Sequence, residues 1–307
     1  MESVRLPRFK RVAEISPIQL TERDQEIIRQ VHRHRFLRSS HILALIGGSP
    51  QQLLRRLQLL YHHGYLERPR AQIDYYHRGG SKPIVYGVGS HGTRLMRLEQ
   101  MRSGFETSPN HRAVCRLFLE HALLTADVMV ALELACRRKR RVRLLTPEEI
   151  PLPKATRRQP EPFHWKVTLT NRTKFGVIPD RVFALEFLDQ PTDRNRAFYF
   201  LEADRGTMPV CRPTLAKSSF HRKLLAYEAT WTQGIHQARF GFHRFRVLTV
   251  TTSTERAKNI ASVAAQLERG HGLFLFTDID SLLGTEDLLT FPWQTARVGQ
   301  TANFMSQ

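Results

Sequence analysis

The stretch 177–206 constrains this chain more than any other. It reads VIPDRVFALEF, then LDQPTDRNR, then AFYFLEADRG. Both apolar runs are dense in Val, Ile, Phe, Tyr and Leu, and the segment between them holds Pro, Asp and Asn. They therefore predict two β-strands joined by a long turn. Side chains two apart on a strand share a face. Glu202 and Asp204 close the second run in that relation, and Asp180 follows Pro179 near the start of the first. In an antiparallel pair these positions lie side by side. Three carboxylates converging at the end of apolar strands are costly without a cation, and hard divalent ions such as Mg²⁺ take oxygen ligands of this kind. Ordinary surface acids beside a solvated turn satisfy the same spacing.

Charge narrows the class of partner. Lys and Arg number 47 against 28 Asp and Glu, for a formal net charge of +19. Such an excess favours a polyanion, nucleic acid before acidic membrane. No apolar run approaches the roughly 20 residues of a spanning helix, and the N-terminal MESVRLPRFKRVAEIS has no apolar signal core. Cys115, Cys136 and Cys211 are too few and too scattered for a disulfide frame or a zinc site. A reduced, cytoplasmic setting is the expectation.

The first part of the chain reads as a basic arm (1–20) and then a helical domain (21–102). Thr21 and Asp24 resemble a capping box ahead of the stripe Ile27, Ile28 and Val31. Phe36 and Leu37 read as a turn, and Ser39 as the cap of a short second helix. Ser49, Pro50 and Gln52 open a third helix, whose buried stripe is Leu53, Leu57, Leu60 and Tyr61 and which Gly64 ends. A hairpin from YLERPR to KPIVYGVGS follows. Three helices and a hairpin make the pattern of a winged helix-turn-helix. Gln51, Gln52, Arg55, Arg56 and Gln58 lie on the outward side of the third helix, where Gln suits adenine and Arg suits guanine in the major groove. Arg68, Arg70, His77, Arg78 and Lys82 on the wing suit phosphates.

SGFETSPN (103–110) reads as a linker to a second domain over 111–293, with a flexible tail at 294–307. A long apolar helix spans about 111–138. Glu120 on it needs a partner and is a site candidate, and Asp127 shares its face; His121 fits a satisfied core histidine. The run 137–143, RRKRRVR, places Arg138, Lys139, Arg140 and Arg141 where they suit either a DNA backbone or a solvated helix end. Lys154, Arg157 and Arg158 in a Pro-rich loop suit a strand of nucleic acid. WKVTLTN and TKFGVIPDRVFALEF form either one hairpin or a bulged strand leading to Asp180.

From 111 onward the order is helix, three strands, helix, strand. With Pro179-Asp180 ahead of Glu202-Ala203-Asp204, this resembles the restriction-endonuclease-like PD-(D/E)XK fold, an αβββαβ core. The fold class that follows is mixed α/β, a winged helix-turn-helix ahead of a nuclease-like domain. The resemblance implies that Asp180 and Glu202, with Asp204 and Glu120, hold Mg²⁺ or Mn²⁺. Asp204 stands in the slot usual for the lysine, and Lys223 on the following helix is the candidate for a displaced one. Tyr227 is one turn further on, to orient Lys223, to act as a covalent nucleophile, or to sit in the core.

A closer resemblance rests on TERDQEIIRQVHRHRFLRSSHI, EHALLTADVMVALELA, IPDRVFALEF, FYFLEADRGTMP, KLLAYEATW and FRVLTVTTSTERA. In this order they look like the replication-relaxation family, which includes MobC-type plasmid mobilisation relaxases. The resemblance implies a relaxase or nickase acting at a plasmid or integrative-element transfer or replication origin. Its partners would be duplex origin DNA, single-stranded DNA after nicking, and relaxosome accessory and coupling proteins; a homodimer stays open. A non-enzymatic origin-binding protein and a transcriptional regulator are the rival readings.

Overall fold

A computed structural model describes residues 7–12, 16–75, 82–100, 114–169, 173–192, 194–214 and 217–305. The chain is mixed α/β and divides into two compact units, Met1–Val130 and Ala131–Gln307.

The first unit opens with α1 (Glu22–His34), β1 (Leu37–Arg38), α2 (Ser39–Ile46) and α3 (Pro50–His62). Both halves of the Thr21/Asp24 capping box form, and Ile27, Ile28 and Val31 are fully buried beneath it. Ser49 accepts the Gln52 backbone N–H at the start of α3, with Pro50 in the first turn. Gly64 takes a φ of 76°, a backbone that residues with a side chain rarely adopt, and so turns the chain out of α3. β2 (Leu66–Glu67), a 3-10 turn and β3 (Val85–Val88) follow. The sheet order is β1-β3-β2, all antiparallel. The segment expected as a turn at Leu37 is thus a short third strand, paired with Tyr86. α4 (Ser90–Gln100) succeeds β3, and α5 (Arg116–Lys139) runs across the division between the units. Its first turns pack Leu119, Ala122 and Leu123 on Phe36 and Val85. Asp127 meets the Arg38 guanidinium and, at 2.8 Å, His41 Nε2. Arg78, His77 and the linker expected at 103–110 lie outside the described residues.

In the second unit come β4 (Val142–Leu145), α6 (Lys154–Arg157), β5 (Trp165–Thr168), β6 (Lys174–Val177), β7 (Arg181–Phe187), β8 (Arg196–Ala203), α7 (Phe220–Thr232), α8 (Ile235–Phe240), β9 (Phe245–Thr251), α9 (Thr254–Ala264), β10 (Phe274–Asp278), α10 (Ile279–Leu283), β11 (Trp293–Thr295) and β12 (Thr301–Ala302). β5 and β6 form a separate hairpin. The main sheet runs β12-β11-β10-β9-β8-β7-β4. Its centre, β8-β9-β10, is parallel, and the flanking pairs are antiparallel. Glu186 lies opposite Arg143 on one neighbour and Arg196 on the other, and both guanidiniums bind it. The core joins Phe200, Val247 and Phe276 of the sheet to Leu224 and Tyr227 of α7 and Ile260 of α9. Of the tail expected at 294–307, the described residues 294–305 carry the end of β11 and all of β12 at the sheet's edge. Phe304 is buried edge-on against Trp293 and Tyr199, so one aromatic anchors a polar segment that has little other apolar content.

Candidate functional site

Strand register builds the site. Arg181 of β7 faces Leu201 of β8, and the Asp180 backbone N–H donates to the Leu201 carbonyl at 3.1 Å. Asp180 Oδ2 in turn accepts the Ala203 N–H at 2.8 Å. The carboxylate of Asp180 is therefore held across the end of β8, between Glu202 and Asp204.

Glu202 is buried and each of its oxygens has a donor. Lys223 Nζ stands 2.5 Å from Oε2, and the Tyr227 hydroxyl donates to Oε1 at 2.5 Å. Both donors come from α7, one turn apart, so the helix grips the carboxylate from one face. α7 is itself fixed by Ser219, whose hydroxyl accepts the Arg222 N–H. Burial lifts the Glu202 carboxyl above its ordinary range; Lys223 opposes the shift and Asp180 adds to it. Burial works against the charge of Lys223, but Glu202 and Asp180 outweigh it and carry its pKa up, so it stays an ammonium. Burial and the Glu202 charge also push the Tyr227 phenol well above its usual value.

Exposure separates the members. Tyr227 is 1 % exposed, with its ring against Phe200 and Trp165. Its hydroxyl is turned inward onto Glu202. Lys223 keeps 29 % of its side chain accessible and Asp180 is half-buried. These two face solvent, with Glu202 behind them.

Asp204 belongs to a different pair. Arg256 of α9 forks onto it, Nη2 reaching Oδ1 at 3.0 Å and Nε bonding Oδ2, and the Thr251 hydroxyl donates to Oδ2 at 2.9 Å. A second Arg256 bond, to the Met208 carbonyl, holds the loop that follows. Glu120, in the first unit, accepts from Arg116 four residues earlier. Asp204 still acts on the cluster through its charge, adding to the upward shift of Lys223. Among the described residues no group of three His, Cys, Asp or Glu side chains is arranged for a metal ion. The cost of crowding three acids is offset by the chain's own cations, Lys223 and Arg256. Arg256 was not legible as a partner of Asp204. The signal was indirect: β9 runs parallel to β8, so Thr251 ends beside Asp204 and the first turn of the next helix returns there.

On α3, Gln51, Gln52 and Arg55 are exposed and share the outward side expected of them. Arg56 departs from it. Its guanidinium binds both oxygens of the fully buried Asp24 at 2.6 Å and the Gln19 carbonyl, tying α3 to α1. Arg68 is buried too, over the rings of Tyr61 and Tyr86. Lys82 is exposed. Arg138, Lys139, Arg140 and Arg141 are all exposed, and Lys139 pairs with Asp287 at 2.9 Å. No helix among the described residues is long and apolar enough to cross a membrane.

No curated protein and no solved structure matches this chain. A family model does: the one described as replication-relaxation covers residues 28–244. The match takes in more than two thirds of the sequence, α3 and the Asp180–Glu202–Lys223 cluster among it, and the chain therefore belongs to the replication-relaxation family.

Proposed function

We propose that this protein is a relaxase or nickase that binds duplex DNA at a plasmid or integrative-element origin and cleaves one strand there. Family membership supports a DNA-related role in replication or relaxation. The observation that carries the finer reading is the ion pair of Lys223 with Glu202, set beside Asp180 across two strand ends. In this reading residues 21–102 are a winged helix, supported by the order α1-β1-α2-α3-β2-β3. Gln51, Gln52 and Arg55 read bases, Lys82 and Arg78 meet phosphates, and Arg138–Arg141 add backbone contacts. Arg56 positions the helix through Asp24. The second unit is a nuclease-like domain whose lysine comes from α7.

Of the proposed ligands, Asp180 fits Mg²⁺ or Mn²⁺ as the structure stands, being half-buried at the solvent side of the cluster. Glu202 would supply an oxygen only by exchanging Lys223 or Tyr227 for the ion. Asp204 would likewise have to give up Arg256 or Thr251. Bound there, such an ion would lower the pKa of a water and offset charge on the scissile phosphate. Lys223 presents its ammonium to that phosphate from the solvent side, and Tyr227 keeps Glu202 oriented.

The donors on both Glu202 oxygens favour a second reading, an origin-binding protein that does not cleave. One pair of measurements decides. Under the first reading Mn²⁺ raises the melting temperature and supercoiled origin plasmid is nicked, and Asp180→Ala loses both effects while still binding origin duplex. Metal binding without nicking on the correct origin puts the second reading first. Full nicking by Asp180→Ala removes the metal centre.

A further inference from the structure

The second unit also holds a cleft of about 1210 Å³ lined by the first residues of β8 and β9 and the segments before them. Arg194, Arg196, His243, Arg244 and Arg246 line it, together with Phe198. None of the described lining residues is acidic. Arg196 is bound to Glu186, which lies outside the lining. Arg194, His243 and Arg244 are exposed. Phe198 is half-buried, with its ring stacked on Phe242 at 3.9 Å between centroids, which fixes it as a platform.

One wall is held in place before any ligand arrives. The cleft is bordered by Pro151–Pro153, and the loop beyond is clamped to α8. Arg239 donates to the carbonyls of Pro162 and His164 and to Gln159, and the Thr156 hydroxyl donates to the Arg239 carbonyl. Lys154, Arg157 and Arg158 stand exposed on α6 and at its C-terminal end.

We propose that this cleft binds single-stranded DNA. Arginines lining a cleft whose described lining residues include no acid complement a phosphodiester backbone, and an unpaired base can lie against Phe198 or an arginine plane. A duplex keeps its base faces stacked inside and offers none to such a platform. The cleft is distinct from the Asp180–Glu202–Lys223 cluster. Arg196 opens β8 and Glu202 stands six residues on, about 20 Å at roughly 3.3 Å per residue. The proposal rests on the nickase reading in one respect: a nick is what supplies an unpaired strand.

The test uses the full chain, a fluorescein-labelled oligothymidylate of about 15 nucleotides and a duplex of equal length, with anisotropy read over a salt series. Arg194→Ala/Arg244→Ala should weaken single-strand binding about tenfold and flatten the slope of log K against log salt by about 1.4, roughly 0.7 per lost phosphate contact. Duplex affinity should stay within about twofold. An unchanged single-strand affinity, or an equal loss on duplex, overturns the proposal. Asp180→Ala separates the two claims, because it should keep oligothymidylate binding. A protein that binds the strand through these arginines and never nicks keeps the cleft and loses the nickase. One that nicks while Arg194→Ala/Arg244→Ala binds the strand like the wild type does the reverse.

Discussion

Two buried carboxylates, one in each unit, are each gripped by a cation from a helix, and they behave differently. Asp24 is fully buried and caps α1. Burial raises its pKa, but the Arg56 fork and the Thr21 cap outweigh that and hold the carboxyl below its ordinary range. The pKa of Glu202 is raised, first by burial and then by the like charge of Asp180, which the single ammonium of Lys223 does not outweigh. A guanidinium fork plus a backbone cap satisfies a carboxylate fully. A point charge, a phenol and a neighbouring acid leave it poised. The first arrangement holds a fold together; the second can change protonation or partner, which is what a reacting centre needs.

The largest expected effect is on stability. Asp24→Ala removes the cap and leaves Arg56 without its counter-charge, and should cost about 3 kcal/mol in urea unfolding. Glu202→Gln keeps the shape and a partner for Tyr227, and Asp180 remains as a counter-charge for Lys223, so it should cost no more than about 1 kcal/mol. Equal losses would erase the contrast between the two centres.

Acid should sharpen the same contrast. The depressed pKa of Asp24 contributes stability that is present above its unfolded value, about 3.9, and is lost as the pH falls through the folded value. The raised pKa of Glu202 acts in the other sense: its contribution is present below about 4.3 and is lost as the pH rises through the folded value. Melting curves from pH 3 to 7 should therefore show Asp24→Asn losing less on acidification than the wild type. The gap between wild type and Glu202→Gln should move against Glu202 as the pH rises. Parallel curves for all three proteins would contradict both assignments.

A smaller effect belongs to DNA recognition. Arg55→Ala should weaken binding to the specific site by about 1–3 kcal/mol and leave random duplex nearly unchanged. Equal loss on both would make Arg55 a backbone contact.

What the sequence disclosed follows from locality. The capping box of α1, the Ser49 cap and Leu stripe of α3 and the meeting of Asp180 with the end of β8 depend on spacings of two to four residues and on one antiparallel register. Lys223 was legible through a family resemblance, and Tyr227 through its helical spacing from Lys223. The remainder depends on long-range contacts. Arg256 reaches Asp204 across a parallel strand pair, and Arg56 reaches Asp24 from another helix. Two arginines of equal exposure in a helical projection, Arg55 and Arg56, differ only because α1 lies beside one of them. The edge strand at 301–302 depends on Phe304 finding Trp293 and Tyr199, which no local pattern announces.

Glu202 belongs either to a working centre or to the scaffold, and one variant separates the two. Glu202→Gln should be purified once and split between a melting curve and a nicking assay on supercoiled origin plasmid with Mn²⁺. The expected result is a melting temperature within a few degrees of the wild type, about 2–4 °C per kcal/mol, together with loss of nicking. Retained nicking, or a collapse in melting as deep as that of Asp24→Ala, would contradict it.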